Sequence, residues 1–388
     1  MKTRILVLFF LVTALTAALL SVKPVSAQTP PGSYQGKPLC LPDVYASDPV
    51  DCIFAGPAAQ VTAQQAPGLT NPMRPLPAYH PDESLTIAPS NIAKINLDDN
   101  MPAPLYATLD DAINQRNPVR YIPPAVMRYI EYSYFERYNN KDYLQVATGE
   151  WIRASRISYS KFMGWIFTET PKNNFGWVLD FAEVRSAPGY SAPKIGELAK
   201  LDSIQIYAME PMDGTDWYQI GPDRWVERRW VRELRIDTTR PPGVPADVNK
   251  WISINLYDQT LAAYENNKLV FAALIASGAE PLYTQPGSFQ IYKKLDASPM
   301  MGATNADRSD YYYLEGVPWS MYYDKMRAIH GAYWRAWFGI EQSHGCVNMS
   351  VGDSNWLYHW ADEGDWVYVW DPSGKTPTDP ALYGDGGA

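Results

Sequence analysis

Short runs in which apolar and polar residues alternate recur from about residue 120 to residue 370, each closed by Gly, Pro, Asn or Asp. A period of two sends successive side chains to opposite faces, so such runs fold as strands joined by turns. Ile252, Ile254 and Leu256 alternate with polar residues, and Leu261, Ala263 and Tyr264 begin a second run. Asn266-Asn267-Lys268 then marks a hairpin ahead of Leu269 to Ser277. Thr284-Gln285-Pro286-Gly287 reads as a turn before Phe289 and Ile291, and Trp366 to Trp370 reads as a closing strand. A short helix is expected over Ser350 to Ala361, where Trp356, Leu357 and Trp360 stand near helical spacing. The chain is expected to be mainly β.

Breaks in this pattern divide the chain. Thr238-Thr239-Arg240-Pro241-Pro242-Gly243-Val244-Pro245 interrupts any regular element, so a C-terminal domain is expected over residues 249–372, with a flexible Gly-, Asp- and Pro-rich tail over 373–388. Residues 28–110 are rich in Pro, Ala and Gln and read as an arm or linker. Residues 111–240 hold a weak repeat. Asp142-Tyr143-Leu144-Gln145-Val146 with Trp151-Ile152 is matched 74 residues later by Asp216-Trp217-Tyr218-Gln219-Ile220 with Trp225-Val226. Each pair is joined by a Gly-containing turn and reads as a hairpin. Val184-Arg185-Ser186-Ala187-Pro188 precedes the second copy. That order resembles bacterial SH3-like β-barrel modules, so one or two such modules are expected here.

The N-terminus is a targeting signal. Lys2 and Arg4 precede an apolar stretch from Ile5 to Leu20, and Val25-Ser26-Ala27 is a small-residue cleavage site. Residues 1–27 therefore read as a signal peptide, and the mature chain as secreted or extracytoplasmic, in the cell wall or periplasm. A membrane is a partner only if that signal stays uncleaved. The net charge of -9 and pI of about 5.1 argue against a nucleic-acid partner, which needs a basic footprint. In an oxidising compartment nearby cysteines pair, so Cys40 and Cys52 are expected to form a disulfide. Cys346, the remaining one of three, is left odd.

Its neighbours suit a nucleophile. His330-Gly331 and then Ser343-His344-Gly345-Cys346-Val347-Asn348 place two of the chain's four histidines near the odd thiol. A cysteine attacks as thiolate and needs a base or a lowered pKa. Gly345 lets the backbone turn tightly and brings amide N–H groups towards the sulfur. Zn²⁺ accepts Cys346, His330 and His344 as ligands, but no second cysteine or acidic residue falls at ligand spacing, so neither a metal nor another cofactor is expected.

The pattern of His330, twelve residues and S-H-G-C-x-N resembles the signature of the L,D-transpeptidase family, the YkuD-type catalytic domain. Ser277-Gly278, the turn at Thr284 to Gly287 and Val317-Pro318-Trp319 also fit. The turn departs from the family's T-P-x-G by Gln285, at a place expected to lie away from the nucleophile. The resemblance implies a C-terminal YkuD-like β-sandwich with short helices. It implies that Cys346 attacks an L,D peptide bond in a peptidoglycan tetrapeptide stem, forming a thioester that a second stem's amine resolves into a cross-link. His330 would be the base, oriented by the Gly331 carbonyl. His344 would line the pocket with Ser343 and Asn348. The Gly345 and Cys346 N–H groups would serve an oxyanion, and Tyr322 or Tyr323 would add a hydroxyl. Carbapenem-type β-lactams are implied as inhibitors. The stretch Tyr311 to Trp337 is expected to form a lid or substrate groove. Water as acceptor would make the enzyme an L,D-carboxypeptidase, and a protein lysine would make it an attachment enzyme for surface proteins. A non-catalytic wall-binding protein is the remaining alternative, against which the intact Cys346, His330 and Gly345 argue.

Overall fold

The computed structural model describes residues 76–160 and 163–384, and the backbone of the parallel pair Leu39–Cys40 and Ile53–Phe54. The N-terminal apolar stretch and Cys52 lie outside the described residues, and so do the expected signal peptide and disulfide.

Two seven-stranded sheets dominate. In the first, the order is Gly287–Gln290, Trp366–Trp370, Lys250–Asn255, Thr260–Glu265, Lys268–Leu274, Trp165–Phe167 and Ala78–Tyr79. The alternation read in sequence sets its two faces. Ile252, Ile254, Leu261, Ala263, Phe271 and Ala273 point into one core. Trp251, Ala262, Tyr264, Ala272 and Leu274 point into another. Both faces are buried, so the alternation read in sequence divides two cores and not core from water.

The second sheet runs Ser155–Arg156, Asn91–Lys94, Met127–Tyr132, Tyr312–Asp324, Arg327–Gly331 and Val347–Met349, with Lys293–Gly302 added against Tyr312–Asp324. Its inner face, including Met321, Tyr323, Ile329, Val347 and Met349, meets the first sheet in the shared core. Its outer face carries Tyr129, Tyr312, Leu314, Trp319, Tyr322, Ala328 and Cys346.

The helix Val351–Trp360 follows the last strand. Ser350 caps it by accepting from the Asp353 N–H at 3.1 Å. Trp356 stacks on Phe271 at 4.3 Å, which seats the helix on the shared core.

The segments ahead of residue 249 divide differently from the sequence reading. The stretch read as a linker to 110 supplies strands Ala78–Tyr79, Asn91–Lys94 and Ala103–Tyr106, and Ile92, Ala93 and Leu105 of these strands are buried, while Tyr79, Ile87, Leu97 and Met101 stay exposed. The first hairpin, Lys141–Gln145 with Trp151–Arg153, joins Ala103–Tyr106 in a five-stranded sheet that packs on Ala93 and Ile130 of the second large sheet. The second hairpin, Thr215–Gly221 with Arg224–Glu227, lies in another five-stranded sheet with Ala182–Arg185. Phe175–Val178 and Val231–Leu234 pair beside it, and Phe175, Trp177 and Leu234 cover the outer face of the first large sheet.

Two further expectations change. Tyr312–Asp324, in the stretch expected to form a lid or substrate groove, is a thirteen-residue strand of the second sheet and so no lid, with Tyr312 and Tyr322 on the face that carries Cys346. The tail read as flexible packs back at Thr376 and Tyr383, both about nine-tenths buried or more. Asp371 accepts from the Thr376 N–H and hydroxyl, and the Tyr383 ring lies 5.2 Å from the Arg327 guanidinium.

Candidate active site

The parallel pairing of Arg327–Gly331 with Val347–Met349 builds the site. Its register sets Ile329 against Val347, His330 against Asn348 and Gly331 against Met349. Ala328 and His330 are two apart and share the outer face, while Ile329 points into the shared core. Cys346 ends the loop just before its strand and comes to lie beside Ala328. The Ala328 N–H donates to Cys346 Sγ at 3.5 Å, and the thiol points to the Met326 carbonyl at 3.8 Å.

The loop that presents Cys346 has little freedom. Gly345 has φ +116°, a left-handed conformation that an L side chain rarely adopts, and a Cβ there would lie 3.2 Å from Arg327 Nε. The Thr284 hydroxyl accepts from the Gly278 N–H at 2.9 Å and donates to the Gly345 carbonyl at 2.8 Å. The turn expected to lie away from the nucleophile therefore grips the residue next to it. Ser343 closes the loop from within, its hydroxyl donating to the Cys346 carbonyl and accepting from the Gly345 N–H at 3.0 Å. The Gly345 N–H, expected to face an oxyanion, is engaged by that hydroxyl instead.

His330 is 2% exposed and fixed at both ring nitrogens. Arg335 Nε donates to Asn348 Oδ1 at 2.7 Å, which turns the Asn348 amide nitrogen to His330 Nε2 at 3.2 Å. Nε2 is then the acceptor, so the ring proton sits on Nδ1 and points to the Gly331 carbonyl at 3.3 Å. The Gly331 carbonyl thus faces the ring. The missing Cβ of Gly331 also admits Ser354, whose hydroxyl would lie 2.6 Å from a Cβ at this position. Asn348, expected to hold the loop or a substrate, is bonded to His330.

Burial sets the resting charges. It pushes the Cys346 thiol up to about 11, against smaller opposing effects from the Ala328 N–H and Arg327. It brings His330 down to about 4, against the Gly331 bond and with a further push from Arg335. At neutral pH the pair rests as thiol and neutral imidazole.

The other named residues separate. His344 is half-buried and stacks on Tyr312 at 5.2 Å. Tyr322 shares the outer-face cluster with Cys346, and its hydroxyl is bonded to Ser298 at 2.8 Å. Tyr323 points to the other face, into the shared core against Phe289, so it is a core residue. Sequence reasoning missed Arg335, Arg327, Tyr312 and the role of Thr284. Tyr312, Arg327 and Arg335 fell inside the stretch expected to form a lid or substrate groove, but nothing in the spacing singled them out.

Residues 249–369 match the sequence model of the L,D-transpeptidase catalytic domain (YkuD). No curated protein sequence matches the chain. Among solved structures, an L,D-transpeptidase from Stackebrandtia nassauensis aligns at 25% identity and a TM-score of 0.26, covering 33% of this chain and 58% of that one. The catalytic domain of the E. faecium L,D-transpeptidase aligns at 23% identity and a TM-score of 0.29, covering 32% of this chain and 100% of that one. L,D-transpeptidase 3 from Mycobacterium tuberculosis, in complex with a faropenem-derived adduct, aligns at 18% identity and a TM-score of 0.29, covering 40% of this chain and 77% of that one. Over its last third, from residue 249 to residue 369, the chain is thus similar to the L,D-transpeptidase catalytic domain.

Proposed function

We propose that this protein is an exported L,D-transpeptidase that cross-links peptidoglycan stems through a thioester on Cys346. One observation carries the reading: His330 is locked as a neutral base, with its proton on Nδ1, on the same sheet face as the nucleophile loop. The match of residues 249–369 to the family's catalytic domain supports it.

The resting pair holds no ready-made thiolate, so proton transfer accompanies attack. Asn348 yields Nε2, which takes the thiol proton as Sγ bonds to the carbonyl carbon of the L,D bond. The developing oxyanion is met by the Cys346 N–H. Collapse breaks the C–N bond, and His330 gives its proton to the departing D-amino acid. An amine of a second stem then attacks the thioester, His330 accepts the amine's proton, and the thiol is restored. His344, on Tyr312, lines the approach. The SH3-like β modules over 111–240 brace the catalytic domain, lending strands to both large sheets and covering the first, and residues 1–27 direct export.

The test is turnover of a disaccharide-tetrapeptide by the chain from Gln28 onward, read by mass spectrometry beside Cys346→Ala. A cross-linked dimer lacking one D-amino acid, absent in the variant, is expected. A tripeptide alone would move the reading to a carboxypeptidase, and no product from folded protein would sink it. A carbapenem should add its mass to the wild-type chain and not to Cys346→Ala.

A further inference from the structure

Beside the nucleophile lies a buried cation that the mechanism above does not use. Arg327 is 3% exposed. One guanidinium nitrogen, Nη1, donates to Asp324 Oδ2 at 2.8 Å. Its Nε is buried with no hydrogen-bond partner. A buried donor left unpaired costs free energy, and a buried charge costs more, so this arrangement persists where something else makes use of it.

The position of that nitrogen is informative. It faces the loop one residue before Cys346, at 3.2 Å from where a Gly345 Cβ would stand. The thiol itself is held by the two residues flanking Arg327, the carbonyl of Met326 and the N–H of Ala328. Arg327 is thus the centre of the three-residue cradle in which Sγ sits. Burial of Cys346 pushes its thiol up, and the Arg327 charge acts against that push.

The C-terminal segment shields this charge from water. The Tyr383 ring covers the guanidinium at 5.2 Å, and Lys325 Nζ donates to the carbonyls of Tyr383 and Gly384 at 3.3 and 3.1 Å. Excluding water raises the strength of any charge–charge interaction beneath. The other ionisable groups round the thiol are Tyr312, Tyr322, Tyr323, His330 and His344. Burial keeps the three phenols protonated and the two imidazoles neutral. Asp324 stays paired to Arg327 from the adjoining strand.

We propose that Arg327 is a positioning residue that stabilises the Cys346 thiolate as it forms, and that Tyr383 of the C-terminal segment keeps it dry and in place. A fixed cation aimed at a site where charge develops favours the charged state without reorganisation. This rests on Cys346 being the nucleophile.

The experiment reads thiol chemistry rather than turnover, so its failure is separate from that of the proposed reaction. The full mature chain is alkylated with iodoacetamide at pH 8 to 9, with Cys346→Ala as background. There the rate follows the small thiolate fraction, so Arg327→Gln should lower it roughly tenfold, the equivalent of about one pH unit. Arg327→Lys should recover most of the loss. Tyr383→Ala should lower the rate by a smaller factor. A folded Arg327→Gln protein with an unchanged rate overturns the proposal. If Arg327→Gln does not fold, Tyr383→Ala decides, and an unchanged rate there overturns it equally.

Discussion

Two hairpins with the same sequence pattern, 74 residues apart, meet different surroundings. In the first, Leu144 and Ile152 are buried, but Trp151 is only half-buried and the neighbouring strand Tyr134–Tyr138 is exposed along its length. In the second, Trp217, Tyr218, Gln219 and Trp225 are all 1% exposed or less. One face of that hairpin meets the module's own core. The other is covered by Tyr190, which lies 5.4 Å from Trp217 and donates a hydrogen bond to Glu227 at 2.7 Å. Local pattern specifies the hairpin, and tertiary contacts decide what each side chain is worth. The same contrast holds at larger scale. Residues 249–369 carry the candidate site, while residues ahead of 249 add strands to both large sheets and cover the first.

The strongest way to break this contrast is to remove the cover. A fragment of residues 249–388 would expose Trp251, Ala262, Tyr264, Ala272 and Leu274 and lose the strands Asn91–Lys94 and Met127–Tyr132. It should show no cooperative melt and weak near-ultraviolet circular dichroism, as expected when that much apolar area is returned to water. A sharp melt near that of the full chain would mean that the C-terminal part is self-sufficient.

The equivalent tryptophans sharpen the hairpin comparison. Trp225→Ala empties a fully buried site and should cost about 3–5 kcal/mol in urea unfolding. Trp151→Ala, at the half-buried counterpart edge-on to Tyr134, should cost about 1–2 kcal/mol. Equal costs would show that the two hairpins are energetically alike despite their surroundings.

Titration separates two buried groups, His330 on the strand Arg327–Gly331 and Asp353 on the helix Val351–Trp360. His330, held down at about 4 from an ordinary 6.5, contributes stability that is complete above 6.5 and is lost as pH falls to 4. Asp353 is pushed by burial from 3.8 to about 6, although it accepts from the N–H groups of Met163 and Gly164. Its contribution has the opposite sign: it is complete below 3.8 and is lost as pH rises through 6. Each is worth about 3 kcal/mol, so between pH 4 and 6 the two nearly offset. Asp353→Asn should unmask an acid-side loss of about that size, and His330→Gln should remove it. Denaturant titrations at pH 4, 5 and 6 check this, and parallel curves for all three proteins would refute it.

The legible parts of the molecule were those written in local pattern. The strands from Lys250 to Leu274, the helix after Ser350 and the closing strand at Trp366 stand where alternation and turn residues put them. The odd Cys346 with His330 and Gly345 was legible because reactive residue types clustered in a short window. What was not legible depends on contacts distant in sequence. Asn91–Lys94 looked like linker because it is brief and set among Pro and polar residues, and its pairing with Met127–Tyr132 spans a long separation. Arg335 acts on His330 only through Asn348, and Arg327 reaches the loop at Gly345 across the cradle, so neither has a spacing that could announce it.

Thr284 gives the smallest and most local test. The extra Gln285 in its turn leaves the Thr284 hydroxyl bridging the Gly278 N–H and the Gly345 carbonyl, where the side chain is 1% exposed. Thr284→Val keeps the shape and removes both bonds, leaving a buried donor and acceptor unpaired at a cost of about 1–3 kcal/mol. If packing from residues ahead of 249 alone held the nucleophile loop, turnover would survive that change in step with the small loss of stability. If the hydroxyl holds it, the Gly345 carbonyl is released beside Sγ, and turnover should fall about tenfold or more while the melt shifts only slightly, because misplacing a reacting atom costs far more in rate than in stability. Comparing kcat with the urea midpoint of the same variant distinguishes the two, and a proportionate fall in both would assign the loop to the cover rather than to the turn.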